Sequence, residues 1–498
     1  RGGFDLQVGN PPWVRPRGDT EALLAEGDPW WQLALKPSEQ DKAAKRADTL
    51  NLPGIRDLVI DGSTDVVVMA EYVGSAVNHP ALAGLQPDLY RCFMELVWSH
   101  GSSTGTSAIV HYETHFTDDR AGLFRSATYE RLRRHWGFIN ELQLYEIEHH
   151  KHWGISIFGN SREPQFLQAS ALYHPETVER SLRHDGSGDE PGFKDSEGNW
   201  DRRPHSARIL KVTSETLRAW HSILEDESVP IRHTRMVESV NRSVAQVIQM
   251  VVRHARVGIL GLQFSRGWDE SIDRKKGFFE LAWGRPGSWN DAILQGPHLH
   301  VNTPLYKVPN STLKNNLDWA LVDFEALPPD AIPVTAYQPA GDPARYDANY
   351  THWGEAGPAR DYYRVAWRRM AANTGERTLR PSLIPPGAAH VDGVFSAGSV
   401  GDGGCRQVSL VTGFMSSLIA DFAVRAVPKN DIRIPTVNRL PMVMGHALQP
   451  ELLLRTLRLN CVTDAYADLW REAFDTAFTS DAWAGGCPRE NRWPVGDV

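Results

Sequence analysis

Residues 4–13 read Phe4-Asp5-Leu6-Gln7-Val8-Gly9-Asn10-Pro11-Pro12-Trp13, an apolar, strand-like run that ends in Asn-Pro-Pro-Trp. Proline lacks an N–H and has a fixed φ, so Pro11 and Pro12 predict a rigid loop directly after the strand. Ligands bind at the carboxyl ends of strands in doubly wound sheets. The stretch therefore predicts an α/β fold with a functional loop at Asn10.

The residue types of this loop suit the activation of a planar amino group. The lone pair of an exocyclic adenine amine is delocalised into the ring, so the nitrogen is a poor nucleophile. The Asn10 side-chain oxygen and the Pro11 carbonyl would accept hydrogen bonds from that NH2 group and restore its sp3 character. Trp13 offers a face for an extruded base, and such stacking contributes roughly 1–3 kcal/mol. A plain turn is the alternative, since Pro-Pro recurs at Pro328-Pro329 and Pro385-Pro386.

The composition sets broad limits. The chain has 498 residues, which predicts about two to four domains, and its 41% hydrophobic and 23% charged content is typical of soluble globular proteins. No apolar run reaches the length of a membrane span. The four cysteines, Cys92, Cys405, Cys461 and Cys487, are far apart, which argues against a zinc site or disulfide framework and fits the cytoplasm. The net charge of −8 is unfavourable for DNA binding, but a local basic surface can bind DNA in a chain that is acidic as a whole.

Strands and helices alternate up to about residue 165. Residues 88–98 place Leu89, Phe93 and Leu96 at helical spacing, and residues 123–136 predict a basic helix. Residues 107–111, 138–145 and 153–158 predict strands, and residues 101–105 a loop. This alternation predicts part of a doubly wound, Rossmann-like sheet.

A segment rich in Asp, Gly and Ser, residues 181–204, predicts a linker. We therefore expect a first domain over 1–180, a second, mixed α+β domain over 205–445 and a helical tail over 446–498. Residues 233–257 predict a long amphipathic helix. Residues 362–380 carry a cluster of five arginines: Arg364, Arg368, Arg369, Arg377 and Arg380. Such a cluster suits contacts to phosphates and base edges. A solvated helix face is an equal alternative.

Three histidines, His149, His150 and His152, stand close together before a predicted strand. A metal site is one interpretation, and a polar connection between strands is the other. The polar connection is favoured because no cysteine and no spaced set of carboxylates accompanies the histidines. The sequence therefore predicts no metal.

The loop at Asn10 resembles the catalytic loop of S-adenosyl-L-methionine-dependent DNA methyltransferases that modify exocyclic amines. In that family a Leu-Tyr-x-x-Phe helix follows, as in Leu89-Tyr90-Arg91-Cys92-Phe93. A Thr/Ser-Asp loop and an Arg-bearing helix come next, as in Phe116-Thr117-Asp118 and Leu123-Phe124-Arg125. A last strand adds an aromatic to the base pocket. Trp153 or Phe158 would match it, with ordinary core packing as the alternative.

Two later segments are similar to Eco57I-like restriction-modification methylases. One contains Asn373-Thr374-Gly375-Glu376-Arg377-Thr378 and then Ile384-Pro385, like a Thr-Asn-Glu-Arg-Thr … Ile-x-Pro signature, with Gly375 where Asn is common. The other contains Ser416-Ser417, Asp421-Phe422-Ala-Val-Arg425 and Leu440-Pro441, with Ser416 where Asn is common. The resemblance runs from residue 4 to about 443, and it implies that 1–180 is the C-terminal part of a catalytic domain and 205–445 a DNA target-recognition domain. It extends to the methyltransferases of the BREX and DISARM phage-defence systems.

The resemblance implies S-adenosyl-L-methionine as cofactor, double-stranded DNA as partner and N6-methyladenine as product. Asn10, Pro11, Pro12 and Trp13 would be the catalytic residues, acting on a flipped base. In this family a cofactor loop precedes the catalytic loop, and ten residues have no room for one. We therefore expect an upstream segment or a partner chain to carry it, with the chain inactive alone, or a circular permutation.

The only candidate for a permuted cofactor loop is the Gly-rich turn after residue 394, with Gly398, Gly401 and Gly403. A lone Gly-rich turn is a weak signal, and no acidic strand end follows about 20 residues later. Asp421 falls inside an apolar helical segment instead. A turn within the recognition domain is favoured.

Two other functions stay open. One is a non-catalytic DNA-recognition subunit that needs a partner chain for the cofactor site, within a defence system of several subunits. The other is an RNA or protein-amide methyltransferase, because Asn-Pro-Pro-aromatic loops serve planar amides and amines alike. The Arg-rich second region argues against a protein-glutamine enzyme.

Overall fold

The structure, a computed structural model, describes residues 2–35, 37–86, 88–251, 253–314, 317–371, 375–425 and 431–481. The chain divides into two compact units, residues 1–249 and 250–498. The boundary lies later than the predicted linker at residues 181–204, because a strand at Leu210–Thr213 pairs inside the first unit.

The first unit is built on one six-stranded sheet. Its strands are β1 (Phe4–Gly9), β2 (Gly101–Tyr112), β3 (Leu132–Ile139), β4 (His152–Phe158), β5 (Gln165–Leu172) and β6 (Leu210–Thr213). They stand in the order β1-β2-β4-β3-β5-β6. The β1/β2 and β3/β5 pairs are parallel, and the other neighbours are antiparallel. The predicted α/β class is confirmed, with a sheet that is mixed rather than wholly parallel.

The described helices of the first unit all follow β1 in sequence, and four of them lie between β1 and Gly74. They are α1 (Thr20–Ala25), α2 (Trp30–Leu33), α3 (Glu39–Leu50), α4 (Ile55–Gly74), α5 (Leu89–His100), α6 (Thr114–Thr117), α7 (Gly122–Arg131), α8 (Pro175–Ser181), α9 (Ser214–Leu224) and α10 (Arg242–Val251). The α5 helix forms as predicted. Its buried face carries Tyr90, Arg91 and Met94, whereas Phe93 and Leu96 are 42% and 40% exposed.

Several predicted boundaries in the first unit are wrong. Residues 101–105 are not a loop, because they begin β2, where Gly101 pairs with Phe4. The helix predicted over 123–136 ends at Arg131, and β3 follows at once between β4 and β5. The interior position of β3 explains the change, because its hydrogen-bonding groups pair on both sides.

The long helix predicted over 233–257 is also shorter in the structure. Residues 234–240 belong to neither a helix nor a strand, and Met236, Val237 and Val240 are buried there. The side chain of Gln168 in β5 donates a hydrogen bond to the Val237 carbonyl at 2.9 Å. This segment packs along the sheet first, and the helix begins only at Arg242.

The second unit contains short strands and a helical core. The strands are β7 (Ala255–Arg256), β8 (Gln263–Ser265), β9 (Phe279–Gly284), β10 (Ile293–Leu294), β11 (Lys307–Pro309), β12 (Trp319–Leu321), β13 (Thr335–Pro339), β14 (Arg364–Arg368), β15 (Pro381–Ile384), β16 (Ala389–His390), β17 (Val394–Gly398) and β18 (Pro441–Met442). The helices are α11 (Ile272–Lys275), α12 (Pro343–Asn349), α13 (Gly404–Met415), α14 (Leu418–Arg425), α15 (Ile434–Asn438), α16 (Gln449–Asn460) and α17 (Ala467–Ala473).

The largest sheet of the second unit is antiparallel, in the order β15-β14-β17-β8. The α16 helix buries Leu453, Leu454 and Leu457 in the same core as Trp367 and Val411. Residues 449–481 are therefore part of the second unit's core, where a separate tail was predicted. The remainder of that predicted tail, residues 482–498, lies outside the described residues.

In the described part of the chain, no helix by itself has the length and apolar character needed to cross a membrane. Only the bent pair α13 and α14, which meet at 64°, passes that test when the two are taken together.

Candidate functional site

The Asn-Pro-Pro-Trp loop leaves the carboxyl end of β1, beside the parallel strand β2. Asn10 is exposed, Pro11 is buried and Trp13 is half-buried. Neither the Asn10 side chain nor the Pro11 carbonyl is hydrogen-bonded to another described residue. Two acceptors therefore stand open at the place where the sequence predicts a functional loop.

Trp13 lies in a small aromatic group. Its ring meets Tyr112 edge-on at 5.6 Å and Tyr145 at 5.1 Å, measured between centroids. Its indole nitrogen lies 3.5 Å from the Val110 carbonyl, at the limit of a hydrogen bond. Aromatic pairs at such distances contribute about 0.5–1.5 kcal/mol beyond their buried area. The indole is held in one place rather than swinging in solvent.

Tyr145 reaches this position because a turn is tied around Asn140. The Asn140 amide donates to the carbonyls of Tyr145 and Ile147 at 3.0 and 2.9 Å, and accepts from the Tyr145 N–H at 3.1 Å. Asn140 is 1% exposed. The sequence analysis missed this residue, since a single asparagine after a strand is no distinctive signal.

The chain after Trp13 is anchored to the start of α5. The Leu89 N–H donates to the Val14 carbonyl at 3.0 Å, and Arg15 pairs with Asp88 at 3.2 Å. Burial raises the pKa of Asp88, although Arg15 and Arg91 act in the opposite direction. The Asn-Pro-Pro-Trp loop and the Leu-Tyr-x-x-Phe helix are therefore in contact through Val14, Arg15, Asp88 and Leu89.

The polar residues of two motifs also meet. Arg91 lies 3.3 Å from the Asp118 carboxylate and donates to the Tyr90 hydroxyl at 3.1 Å. The Tyr90 hydroxyl contacts Thr114 and His115 at 3.0 and 3.2 Å. Arg91 and Tyr90 are buried. Their observed role is to brace the connection that follows β2.

Arg125, the arginine of the third motif, is buried as well. It donates to the carbonyls of His115 and Asp118 and, at 2.8 Å, to that of His233. Burial lowers the pKa of Arg125. A buried guanidinium satisfied by carbonyls fixes the loop between β2 and α7 and is not offered to a ligand.

A chain of buried side chains crosses β2, β4 and β3. His111 donates through Nδ1 to the Tyr112 carbonyl at 2.9 Å, so its Nε2 accepts from the Ser156 hydroxyl at 2.8 Å. Ser156 Oγ then accepts from His135 Nδ1 at 3.1 Å, and His135 Nε2 lies 2.7 Å from Glu113 Oε1. Burial and the neighbouring His135 lower the pKa of His111 to about 3. His111 is therefore neutral at physiological pH.

The two aromatics proposed for a base pocket lie in the core. Trp153 is 2% exposed and stacks on Phe138 at 4.3 Å. Phe158 is 1% exposed and meets Trp98 edge-on at 5.4 Å. Trp153 also contacts Tyr145 at 4.7 Å, so it supports the aromatic group around Trp13 from behind. The structure does not place either ring where a base would stack directly.

The arginines predicted to bind DNA are not on a helix, because residues 364–368 form β14. Arg364 is buried and donates to the Ala388 carbonyl, so the structure contradicts a DNA contact for it. Arg369 pairs with Asp392 at 2.9 Å. Arg368 and Arg380 are half-buried, and neither forms an ion pair with a described carboxylate. Burial and the charge of Arg380 lower the pKa of Arg368 to about 10.

The two motifs of the second unit join at Asp421. Its Oδ1 accepts from the backbone N–H groups of Thr378 and Leu379, and its Oδ2 pairs with Arg425 at 2.9 Å. Arg377 donates to the Ser416 carbonyl at 2.7 Å. The remaining motif residues Asn373 and Thr374 lie outside the described residues. Arg377 therefore connects the two motifs through its hydrogen bond to Ser416.

The three clustered histidines separate in the structure. His149 and His150 are exposed, and His150 lies 3.1 Å from Glu148. His152 turns inward, and its Nδ1 lies 3.1 Å from Glu238. Burial lowers the pKa of His152, but Glu238 outweighs it and raises the pKa to about 9. Glu113 stands beside this pair.

The Gly-rich turn after residue 394 does connect a strand to a helix, β17 to α13. However, β17 is antiparallel to both of its neighbours, unlike the first strand of a dinucleotide-type fold. A Cβ on Gly398 would lie 2.5 Å from the Trp353 ring, so this glycine serves close packing. The antiparallel setting of β17 and the packing of Gly398 therefore do not support this turn as a cofactor loop.

No protein-family model matches the chain, and no curated protein matches it. Among solved structures it is similar to the type IIG restriction endonuclease BpuSI (12% identity, TM-score 0.27, 76% of this chain and 45% of that one). It is also similar to the type IIL restriction-modification enzyme MmeI in complex with DNA (9%, 0.32, 95% and 55%). A third is the M protein of the type I restriction enzyme EcoKI (12%, 0.22, 49% and 66%). The chain spans about half the length of the first two.

Proposed function

We propose that the chain provides the substrate side of a DNA adenine-N6 methyltransferase that uses S-adenosyl-L-methionine, in a restriction-modification or phage-defence system. One observation carries this proposal. The Asn10 amide and the Pro11 carbonyl stand without a partner among the described residues at the carboxyl end of β1, next to the fixed indole of Trp13. The residue types are those of the amino-methyltransferase loop.

In this proposal the adenine leaves the duplex, because its amino group is not reachable within the stack. Trp13 stacks on the flipped base. The Asn10 oxygen and the Pro11 carbonyl each accept one N–H of the amino group, which draws the nitrogen toward sp3 geometry. Pro12 holds the loop so that the Pro11 carbonyl keeps its direction. No general base is required, because the nitrogen can release its proton once its new bond has formed.

The cofactor site is proposed to come from further strands that pair with β1. Among the described residues β1 pairs with β2 alone. Its Phe4, Leu6 and Val8 are 62%, 68% and 75% exposed, although apolar strand residues are normally covered. An upstream segment or a partner chain that carries the cofactor loop would cover them.

The second unit is proposed to bind the DNA backbone. Arg368 and Arg380 keep N–H groups available and have no carboxylate partner in the part of the chain that is described. Their charges are close enough for Arg380 to lower the pKa of Arg368, and burial has the larger effect. Two neighbouring guanidiniums without a counter-charge favour a phosphate.

The test measures methyl transfer from labelled S-adenosyl-L-methionine to mixed-sequence duplex DNA. The chain is assayed alone, and again together with the upstream segment or partner chain that is proposed to carry the cofactor loop. Asn10→Ala is compared with Asn51→Ala, a change of an exposed asparagine at the end of α3. We expect label in N6-methyladenine by mass spectrometry, lost in Asn10→Ala and kept in Asn51→Ala.

Other outcomes separate the alternatives. Label in RNA or in protein but not in DNA would replace the substrate class. DNA binding with transfer that is indifferent to Asn10→Ala would mean that the chain is a recognition subunit. Calorimetric binding of S-adenosyl-L-methionine by the chain alone would mean that its own residues form the cofactor site.

A further inference from the structure

Three side chains from distant parts of the first unit converge beside the end of β2. Glu113 follows β2, His152 begins β4, and Glu238 belongs to the irregular segment before α10. One ligand atom from each lies within 4.8 Å of the other two. The residues are separated by 39 and 86 positions, so only the fold brings them together.

The donor set is that of a transition-metal site. Two carboxylates and one imidazole suit zinc, manganese or ferrous iron, whereas magnesium and calcium prefer oxygen ligands alone. Three protein ligands would leave one or more positions for water. The net charge of two carboxylates also matches a divalent cation.

A second observation concerns Glu113 itself. Glu113 is 7% exposed, and its Oε1 is buried without a hydrogen bond from any described residue. His135 Nε2 lies only 2.7 Å away, but not in the direction of a hydrogen bond. An unsatisfied buried carboxylate oxygen costs free energy unless a ligand neutralises it. A divalent cation held by Glu113, His152 and Glu238 would supply that neutralisation beside His135.

The sheet leaves room for this carboxylate. Gly137 of β3 and Gly154 of β4 face each other in register. A Cβ on Gly154 would lie 2.5 Å from Glu113 Oε1, and one on Gly137 would lie 3.0 Å from it. Any other residue at these two positions would displace the carboxylate, so the bare backbone of two strands forms its floor.

Glu113 has an outer support as well. His135 touches Glu113 through Nε2 and is fixed by Ser156 through Nδ1 at 3.1 Å, while Ser156 is held by His111 at 2.8 Å. Metal ligands are normally oriented by such neighbours. His135 is therefore a positioning residue for Glu113.

We propose that Glu113, His152 and Glu238 bind one divalent transition-metal ion. The ion would cross-link the end of β2, the start of β4 and the segment before α10. Tyr112, which precedes Glu113, contacts the ring of Trp13. Trp153, which follows His152, contacts the ring of Tyr145. The ion thereby stiffens the aromatic group that holds Trp13, without touching the Asn10 loop.

The test uses the full chain after removal of metals by a chelator. Co²⁺ is added while its visible d–d absorption is followed, and Zn²⁺, Mn²⁺ and Mg²⁺ are titrated by calorimetry. We expect one Co²⁺ per chain, competition by Zn²⁺ and no comparable binding of Mg²⁺. X-ray absorption of the Zn²⁺ form is expected to show one imidazole and otherwise oxygen ligands.

Variants decide which residues hold the ion. His152→Ala and Glu238→Gln are expected to lose binding, and His135→Ala to weaken it roughly 10–100-fold. His150→Ala and Glu148→Gln, an exposed pair in the same connection, are matched controls that should bind normally. Circular dichroism of each variant checks the fold. Normal binding by Glu238→Gln, or equal loss in His150→Ala, would overturn the proposal.

Discussion

Asp421 Oδ1 lies 2.8 Å from the backbone nitrogen of Thr378, although 43 positions separate the two residues. The same oxygen accepts from the Leu379 N–H at 2.7 Å. Two sequence motifs of the second unit are therefore halves of one buried junction. Their presence in a fixed order has a structural cause, and no contact with nucleic acid is needed to account for it.

This junction predicts a large loss of stability in Asp421→Ala. The change leaves two buried N–H groups without an acceptor and removes the carboxylate partner of Arg425, which keeps its hydrogen bonds to the Gly375 and Glu376 carbonyls. Removal of one partner of a buried charged pair costs about 3–5 kcal/mol. Urea unfolding measures the change in the free energy of unfolding. Asp468→Ala, which breaks only an exposed pair with Arg471, should change it by less than about 1 kcal/mol. Equal effects of the two variants would contradict the structural role.

Trp13→Ala is expected to lower the kcat/KM of methyl transfer by roughly 5- to 150-fold. The reason is the loss of about 1–3 kcal/mol of base stacking. Trp13→Phe keeps a ring against Tyr112 and Tyr145 and should lose only a small part of the activity. Trp30→Phe, at a half-buried tryptophan on α2, is the control for general effects. If Trp13→Ala transferred methyl groups as fast as the parent, stacking on this ring would be ruled out.

Arg368 and Arg380 predict a change in the salt dependence of DNA binding. If each neutralises one phosphate, the double change to Ala lowers the slope of log K against log salt by about 1.8. Fluorescence anisotropy with a labelled duplex at several salt concentrations measures it. Arg471→Ala removes an exposed arginine paired with Asp468 and should leave the slope unchanged. An unchanged slope in the double variant would place the phosphate contacts elsewhere.

His298 predicts that the second unit loses stability in mild acid. Burial lowers the pKa of His298 to about 4. Its Nδ1 accepts from the Gln295 N–H at 2.9 Å, and its Nε2 donates to the Val334 carbonyl at 3.0 Å, so the neutral ring is the one that fits. Protonation therefore favours the unfolded chain. The stabilisation is complete above pH 6.5 and is lost as the pH falls toward 4, by up to about 3 kcal/mol.

Chemical denaturation between pH 4 and 7 measures this loss. His298→Gln keeps an acceptor and a donor without a titrating ring, and we expect a flatter profile across that range. His446→Gln, at an exposed histidine, should keep the parent profile. A parent-like slope in His298→Gln would assign the acid sensitivity to another group.

The sequence predicted those strands and helices that are determined by a local pattern of residues. The strand that ends at Gly9, the helix that begins at Leu89 and the strand that ends at Phe158 all form, because each has its own periodicity and its own stop signal. The helix predicted across Arg131 fails because burial between β4 and β5 outweighs helical spacing after that residue. Propensity is a weak guide where a segment is central in a sheet.

Site residues that stand in one short motif could likewise be predicted from sequence, and those that only the fold brings together could not. Asn10 and Trp13 stand in one short motif, so sequence was enough to single them out. The proximity of Glu113 and Glu238 to His152 could not be predicted from sequence, because it depends on strand order and on an irregular segment that was predicted to be helical. Arg364 was singled out for its charge, and only burial shows that it serves backbone carbonyls.

The open side of β1 has a practical consequence for anyone who handles the isolated chain. An uncovered strand edge with exposed Phe4, Leu6 and Val8 is a template for pairing with any other extended segment, including the same strand of a second molecule. We expect purified chain to self-associate as its concentration rises, and a short peptide that pairs with β1 to suppress this. Solubility would then report on whether that edge is covered, before any activity is measured.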